Sequence, residues 1–210
     1  MRIFLAMALS SVILTGACAD KNYNALNSYL SKRSIELPNK DSFQSCRGYG
    51  CQFSDTITPN KRDWKRIESP FLSPAKDTEQ ERKKIAQSIA AFESIVGERN
   101  GTSADIWGTF QKTGHNQQDC VDESINTSMY MRVLEQRGHI KFHTVEMPQS
   151  RIPFLKWPHQ TAILKEKDSD KIYAIDSWFH NNGAPPEIVD FKTWKSGWKP
   201  DKQEQVTHVE

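Results

Sequence analysis

The order of apolar and polar residues predicts two long helices followed by a β-hairpin. Apolar residues recur every three or four positions over residues 73–97 and again over 120–137, which is the spacing of one buried helical face. Apolar residues then run through 159–164 and 172–178, with the polar segment 166–171 between them. Two short apolar runs around a polar turn are typical of antiparallel strands. This order favours an α+β fold, in which a helical layer packs on a small antiparallel sheet.

The second helix begins with a cysteine. Asp119 is a preferred N-cap type and Asp122 falls at N3, which together resemble an acidic capping arrangement, while Gly138 is a plausible end. Cys120 is then the first helical residue. A thiol in the first turn lies near unpaired N–H groups and the positive end of the helix dipole, which favours the thiolate. The same N–H groups can hold a developing oxyanion, so Cys120 is a candidate nucleophile.

The predicted hairpin carries two residues that could serve this thiol. If its turn centres near Lys167 or Asp168, antiparallel pairing sets His159 opposite Asp176 within about a residue. Opposed side chains have Cβ atoms roughly 4.5 to 5.5 Å apart, close enough for an imidazole to hydrogen-bond a carboxylate. Asp176 could then orient His159, and His159 could take the proton from Cys120.

The start of the chain is typical of an export signal. Residues 1–19 contain a basic residue, an apolar run and small residues, and the run is too short to span a membrane. Leu-Thr-Gly-Ala-Cys resembles a lipobox, in which Cys18 is lipidated and the signal covers 1–17. Ala-Cys-Ala over 17–19 equally fits an ordinary cleavage site. Both alternatives predict the bacterial periplasm, and the first adds a lipid anchor in the outer membrane.

Cysteine usage agrees with export. The chain has four cysteines, and Cys46 and Cys51 flank a loop with two glycines. In an oxidising compartment this pair is expected to form a disulfide. Cys120 is then the odd thiol, as a nucleophile requires, although a free cysteine is also commonly a buried structural residue.

Composition limits the remaining function classes. The chain has 210 residues, with 28 basic against 26 acidic side chains and no long basic run, so nucleic acid is not an expected partner. A mean hydropathy of -0.68 predicts a soluble mature domain without a transmembrane span. We expect an N-terminal arm over 20–72 with a disulfide-pinned loop, a catalytic domain over 73–198 and a flexible tail over 199–210.

The three motifs together resemble a known group. Asp-Cys-x-Asp/Glu at a helix start, His at a strand start and Asp at the end of the next strand look like the transglutaminase-like cysteine proteases of the papain-like superfamily, particularly the bacterial periplasmic type. The resemblance covers roughly residues 80–180. It implies a papain-like, transglutaminase-like fold with Cys120, His159 and Asp176 as the catalytic residues.

The resemblance also bears on the oxyanion and on calcium. A glutamine upstream of the nucleophile supplies an oxyanion donor in the superfamily, which makes Gln117 and Gln118 candidates here. The bacterial proteases usually read Gly-Asp-Cys-Glu-Asp, whereas this chain has Gln118 before Asp119 and Val121 after the cysteine. Their calcium site uses acids around the nucleophile, so calcium is unsupported here, and we expect no cofactor.

Several functions remain open at this stage. The leading one is hydrolysis of an amide or peptide bond in a protein or peptide substrate through an acyl-enzyme. Cleavage of peptidoglycan peptides and acyl transfer to an amine use the same groups. A non-catalytic envelope binding module on the same fold is the alternative from another class. A redox role for Cys46 and Cys51 fits their spacing less well, and no zinc-ligand spacing is present, so we expect no metal.

Overall fold

The computed structural model of this chain describes residues 16–109, 114–152 and 158–201, with side chains from residue 24 onward. The predicted signal therefore lies outside the described residues as far as residue 15, and its last residues begin the first helix. The side chain of Cys18 lies outside the described part as well. The predicted tail lies outside it beyond residue 201.

The described elements make up an α+β fold with two small antiparallel sheets. A meander of four strands has the order β3-β4-β5-β6, and a separate hairpin pairs β1 with β2. Helix α4 packs against β1 and also against β3 and β4, so it joins the two sheets. The elements in chain order are α1 (Gly16–Ser31), β1 (Phe43–Arg47), β2 (Phe53–Ile57), α2 (Lys61–Ile67), α3 (Thr78–Asn100), α4 (Cys120–Gln136), β3 (His143–Arg151), β4 (His159–Glu166), β5 (Ile172–Asp176), β6 (Glu187–Asp190) and α5 (Phe191–Lys195), with single 3₁₀ turns at Ser69–Phe71 and Thr102–Ala104.

The N-terminal region is more regular than the sequence suggested. We expected an arm with a disulfide-pinned loop, and the structure shows that this loop connects the two strands of a hairpin, which α2 follows. Asn60 and Asp63 start α2 through a capping box, in which each side chain accepts the other residue's N–H. Leu26 and Leu30 of α1 are fully buried in the main core cluster, so the predicted arm contributes to that core.

Helix α3 starts and ends later than the pattern predicted. Asp77 caps it by accepting the N–H of Gln80, so the helix begins at Thr78 and not at the predicted residue 73. Gly97 lies inside the helix instead of ending it. The left-handed residue that ends α3 is Gly101, with φ of 85°.

Helix α4 has the predicted start but much greater burial. The Asp119 side chain accepts N–H groups of the first turn, and Asp122 accepts the N–H of Asp119, which confirms the capping arrangement. The predicted single apolar stripe was too narrow, because residues on nearly every side of α4 are buried. Polar residues on the added faces have partners: Asn126 accepts the N–H of Cys46 at 2.6 Å and donates to its carbonyl at 2.9 Å.

Replacing Gly97 by alanine should destabilise the protein by about 1–3 kcal/mol. A Cβ at this position would lie 2.7 Å from Oδ1 of Asn182 and 2.9 Å from the backbone N of Ser103. Urea unfolding of Gly97→Ala against Gln87→Ala, an exposed control on the same helix, measures the effect. A Gly97→Ala variant as stable as the parent would show that α3 does not need this close approach, since glycine to alanine in an open helix stabilises by up to about 1 kcal/mol.

Candidate active site

The thiol of Cys120 lies at the first position of α4 in a largely closed environment. Its residue is 8% exposed and packs in a cluster with Trp178 and Phe179. Burial raises the pKa of this thiol to about 12, with Asp119 and Asp176 acting in the same direction. The N–H groups of Gln160 and of Cys120 itself lower it. The expectation that the helix start favours the thiolate was therefore wrong, because burial outweighs these N–H groups.

The structure brings His159 and Asp176 together across the hairpin. Nε2 of His159 lies 2.7 Å from Oδ2 of Asp176, and both residues are buried. The two are not directly opposed. The ladder pairs Ala162 with Ile175, so its continuation sets Asp176 across from Thr161. Asp176 is thus a diagonal neighbour of His159, which lies two residues before Thr161 on the same strand. The shift of two residues keeps both side chains on one face of the sheet, where a shift of one would have separated them.

The hydrogen bond to Asp176 determines which nitrogen of His159 carries the proton. A carboxylate accepts, so Nε2 of His159 is the protonated nitrogen and Nδ1 keeps its lone pair. Nδ1 is buried and has no hydrogen-bond partner within the described part of the chain. A buried acceptor without a donor is rare in folded proteins. It leaves the imidazole able to accept one proton from a group that approaches Nδ1.

Aromatic rings enclose this imidazole. The ring centroid of His159 lies 4.7 Å from that of Trp178, 5.4 Å from Phe179 and 5.7 Å from Trp194. Trp178 and Phe179 also belong to the cluster that contains Cys120, so the histidine and the cysteine lie beside the same aromatic group. The site excludes water on these sides, which strengthens hydrogen bonds inside it.

The two glutamines predicted to hold an oxyanion have other partners. Gln117 accepts the N–H of Ile106 at 3.0 Å and donates to the carbonyl of Ala104 at 2.9 Å. Gln118 is buried and donates to the carbonyl of Cys46 at 3.1 Å. Both amides thus hold the loop that leads to Cys120.

A third glutamine, which the sequence did not indicate, lies beside the thiol. The backbone N–H of Gln160 hydrogen-bonds the sulfur of Cys120. The side-chain Nε2 of Gln160 donates to Tyr29 of α1 and to Ser124 of α4, each at 2.5 Å. These bonds hold the start of β4 against both helices. No local pattern marks such a contact, because Tyr29 is 131 residues away from Gln160 in the chain.

The disulfide loop covers the first turn of α4. Cys46 and Cys51 are joined in a disulfide, with Cα atoms 4.7 Å apart. Asp122 accepts the N–H of Tyr49 at 2.8 Å and that of Cys51 at 2.6 Å. Within the described residues, Cys46, Cys51 and Asp122 form one group with ligand atoms close enough to share a metal ion. The sulfurs of Cys46 and Cys51 are bonded to each other and are not thiolates, so the group does not suit a metal.

Four buried carboxyl groups, Glu123 and three that interact with it electrostatically, lie close together. Burial raises the pKa of Glu93 to about 8 and those of Asp105 and Asp122 to about 7. Burial and the neighbouring carboxyls also raise the pKa of Glu123 well above its usual range. The main consequence of this cluster is for stability.

No protein family, no curated protein and no solved structure matches this chain. The resemblance drawn from the three motifs therefore stays a prediction. Among the described helices, none has the length and the apolar character needed to cross a membrane.

Stability should fall as the pH rises from about 4.5 to about 8, and Glu93→Gln should reduce that fall. Below about 4.5 both states of the protein hold the Glu93 proton, but above it the unfolded state releases the proton while the folded state keeps it until about pH 8. One group with this behaviour contributes a slope of about 1.4 kcal/mol per pH unit. Urea unfolding from pH 4 to pH 8 measures it.

The matched control for this measurement is Glu79→Gln, on the same helix. Glu79 is exposed and its carboxylate pairs with Lys83. This variant should keep the slope of the parent protein. Equal slopes for the parent and Glu93→Gln would show that Glu93 loses its proton at the same pH in the folded and the unfolded state, which would contradict the prediction.

Proposed function

We propose that this chain is an exported thiol hydrolase of the transglutaminase-like, papain-like type, which cleaves an amide or peptide bond. The observation that supports it most is that the buried Nδ1 of His159 has no hydrogen-bond partner among the described residues, while Nε2 is bonded to Asp176. The imidazole also lies against aromatic residues of the cluster that contains Cys120. A structural histidine in a core normally has both nitrogens satisfied. One nitrogen that lacks a donor suits a group that takes up a proton during reaction.

The proposed reaction starts from a neutral pair. The sulfur of Cys120 attacks the substrate carbonyl carbon while its proton passes to Nδ1 of His159. A carbon–sulfur bond forms, the carbonyl oxygen becomes an oxyanion, and Asp176 stabilises the imidazolium through Nε2. The carbon–nitrogen bond then breaks as His159 gives its proton to the leaving amine. Water hydrolyses the thioester and restores the thiol.

The N–H of Cys120 is the group we assign to the oxyanion. The neighbouring N–H groups of Val121 and Asp122 both donate to Oδ1 of Asp119. We had expected the N–H groups of the first turn as a set to hold the oxyanion, but these two already have an acceptor. A single well-placed donor of this kind contributes about 10²- to 10³-fold to the rate in enzymes of this chemistry.

A second candidate function is a binding module in the cell envelope that performs no chemistry. The observation in its favour is the thiol itself, which is 8% exposed and whose pKa burial raises to about 12. In this case Cys120 is a core residue and His159 only completes the packing. The two candidates differ in whether His159 changes the reactivity of Cys120.

The test is the rate of alkylation of Cys120 by iodoacetamide between pH 5 and pH 10, in the parent and in His159→Ala. With His159 as base, the parent should show a component that rises near neutral pH and then levels off, and the variant should lose at least about tenfold in this range. His115→Ala is the control, since His115 is exposed and its ring packs on Phe53. Labelled peptide identified by mass spectrometry gives the rate.

The opposite result is equally clear. Rates that rise tenfold per pH unit up to pH 10 in both proteins, without a His159-dependent component, would be those of an isolated buried thiol and would favour the binding module. If the component is present, a mixture of peptides incubated with the parent and with Cys120→Ser should be cleaved by the parent alone.

A further inference from the structure

We propose that Trp194 is a positioning residue of this site, which fixes the carboxylate of Asp176 for His159. The role in catalysis rests on the proposed function, but the contacts of Trp194 do not depend on that function. Nε1 of Trp194 donates to Oδ2 of Asp176 at 2.7 Å, and Nε2 of His159 lies 2.7 Å from the same oxygen. One buried oxygen therefore accepts an indole and an imidazole N–H.

Two donors on one oxygen fix the orientation of the Asp176 carboxylate more tightly than one donor does. Asp176 is the last residue of β5 and is 1% exposed, so water is not a substitute for either donor. With His159 alone, the carboxylate can rotate about its own bond while it keeps that contact. The indole N–H on Oδ2 removes this freedom, and its charge-assisted hydrogen bond withdraws part of the negative charge from the imidazole.

Trp194 is itself held rigidly. It is fully buried, and its ring packs with Ala174 and Val189 on the face of the sheet that carries Asp176. The guanidinium of Arg151 lies 4.4 Å from the ring centroid and donates to the carbonyl of Trp194. Arg151 is the cross-strand partner of His159 on β3. Arg151 therefore contacts Trp194 and also lies next to His159 in the sheet.

Packing alone does not account for this arrangement. A core tryptophan needs one acceptor for its N–H, and backbone carbonyls serve that purpose. Nε1 of Trp178, for example, donates to the carbonyl of Thr109 at 3.4 Å. Trp194 instead uses the oxygen that His159 needs, at a shorter distance.

The experiment compares Trp194→Phe with the parent protein and with Trp64→Phe. Phenylalanine keeps most of the ring but removes the N–H. Trp64 packs on Phe92 and Arg137, away from this site, and serves as control. Two quantities are measured: the pH midpoint of the His159 imidazole titration by ¹⁵N NMR, and the pH profile of Cys120 alkylation by iodoacetamide.

In Trp194→Phe the His159 midpoint should rise by about one pH unit, because the carboxylate regains charge that stabilises the imidazolium. The acid limb of the His159-dependent alkylation should move by the same amount. Trp64→Phe should leave both unchanged. Unchanged values in Trp194→Phe as well would show that the indole only fills space, and would overturn the proposal.

The unmutated protein offers a second measurement in case Trp194→Phe does not fold. The Trp194 indole proton should lie downfield of other indole protons and should shift with the same midpoint as His159, since both donate to Oδ2 of Asp176. An indole proton that does not follow the titration of His159 would overturn the proposal. A moved midpoint without any His159-dependent alkylation in the parent would support the positioning role and refute the hydrolase.

Discussion

The carboxyl group of Asp122 joins the two parts of the molecule on which the site depends. It accepts the N–H of its own helix cap and, from the disulfide loop, the N–H groups of Tyr49 and Cys51. Residues 48–51 all have positive φ, so their N–H groups point toward the start of α4. Those of Tyr49 and Cys51 donate to Asp122, while Gly50 donates to Asp119 and Gly48 to the carbonyl of Gln117. Such conformations cost about 1–3 kcal/mol each at Tyr49 and Cys51, so a fixed acceptor is required to hold them. The hairpin loop and the helix turn that carries Cys120 are thereby positioned together.

The burial of α4 on nearly all sides accounts for both the architecture and the unusual protonation of the site. Each polar group on that helix must find a partner inside the protein. Thr127, for example, hydrogen-bonds Ser177 at 2.9 Å, which connects α4 to the residue after Asp176. The same burial raises the pKa of Asp122 to about 7 and that of Glu123 well above its usual range. It also raises the pKa of the Cys120 thiol to about 12, so this thiol is neutral at neutral pH.

Local patterns in the sequence were enough to predict the helix start at Cys120, the strand pair and the shared face of His159 and Asp176. Capping and hydrophobic spacing are properties of neighbouring residues, so they can be read without the fold. The predicted start of α3 was wrong, because Asp77 caps the helix a few residues after the point where the apolar spacing begins. Trp194 and Gln160 could not be found in this way, since their contacts depend on where α5 and α1 pack. The raised pKa of Cys120 could not be predicted either, because it is caused by burial and a short motif does not show how deeply a residue is buried.

A neutral resting pair changes which groups contribute most in the proposed reaction. Because burial raises the Cys120 pKa to about 12, negative charge appears only as the sulfur attacks and passes directly to the carbonyl oxygen. Asp176 already accepts the N–H of Trp194, so it can offer only part of its charge to the imidazolium of His159. More of the stabilisation must therefore come from the N–H of Cys120 at the oxyanion. A substrate that excludes water against Trp178 strengthens that hydrogen bond, so selectivity depends on how closely its carbonyl approaches the helix start.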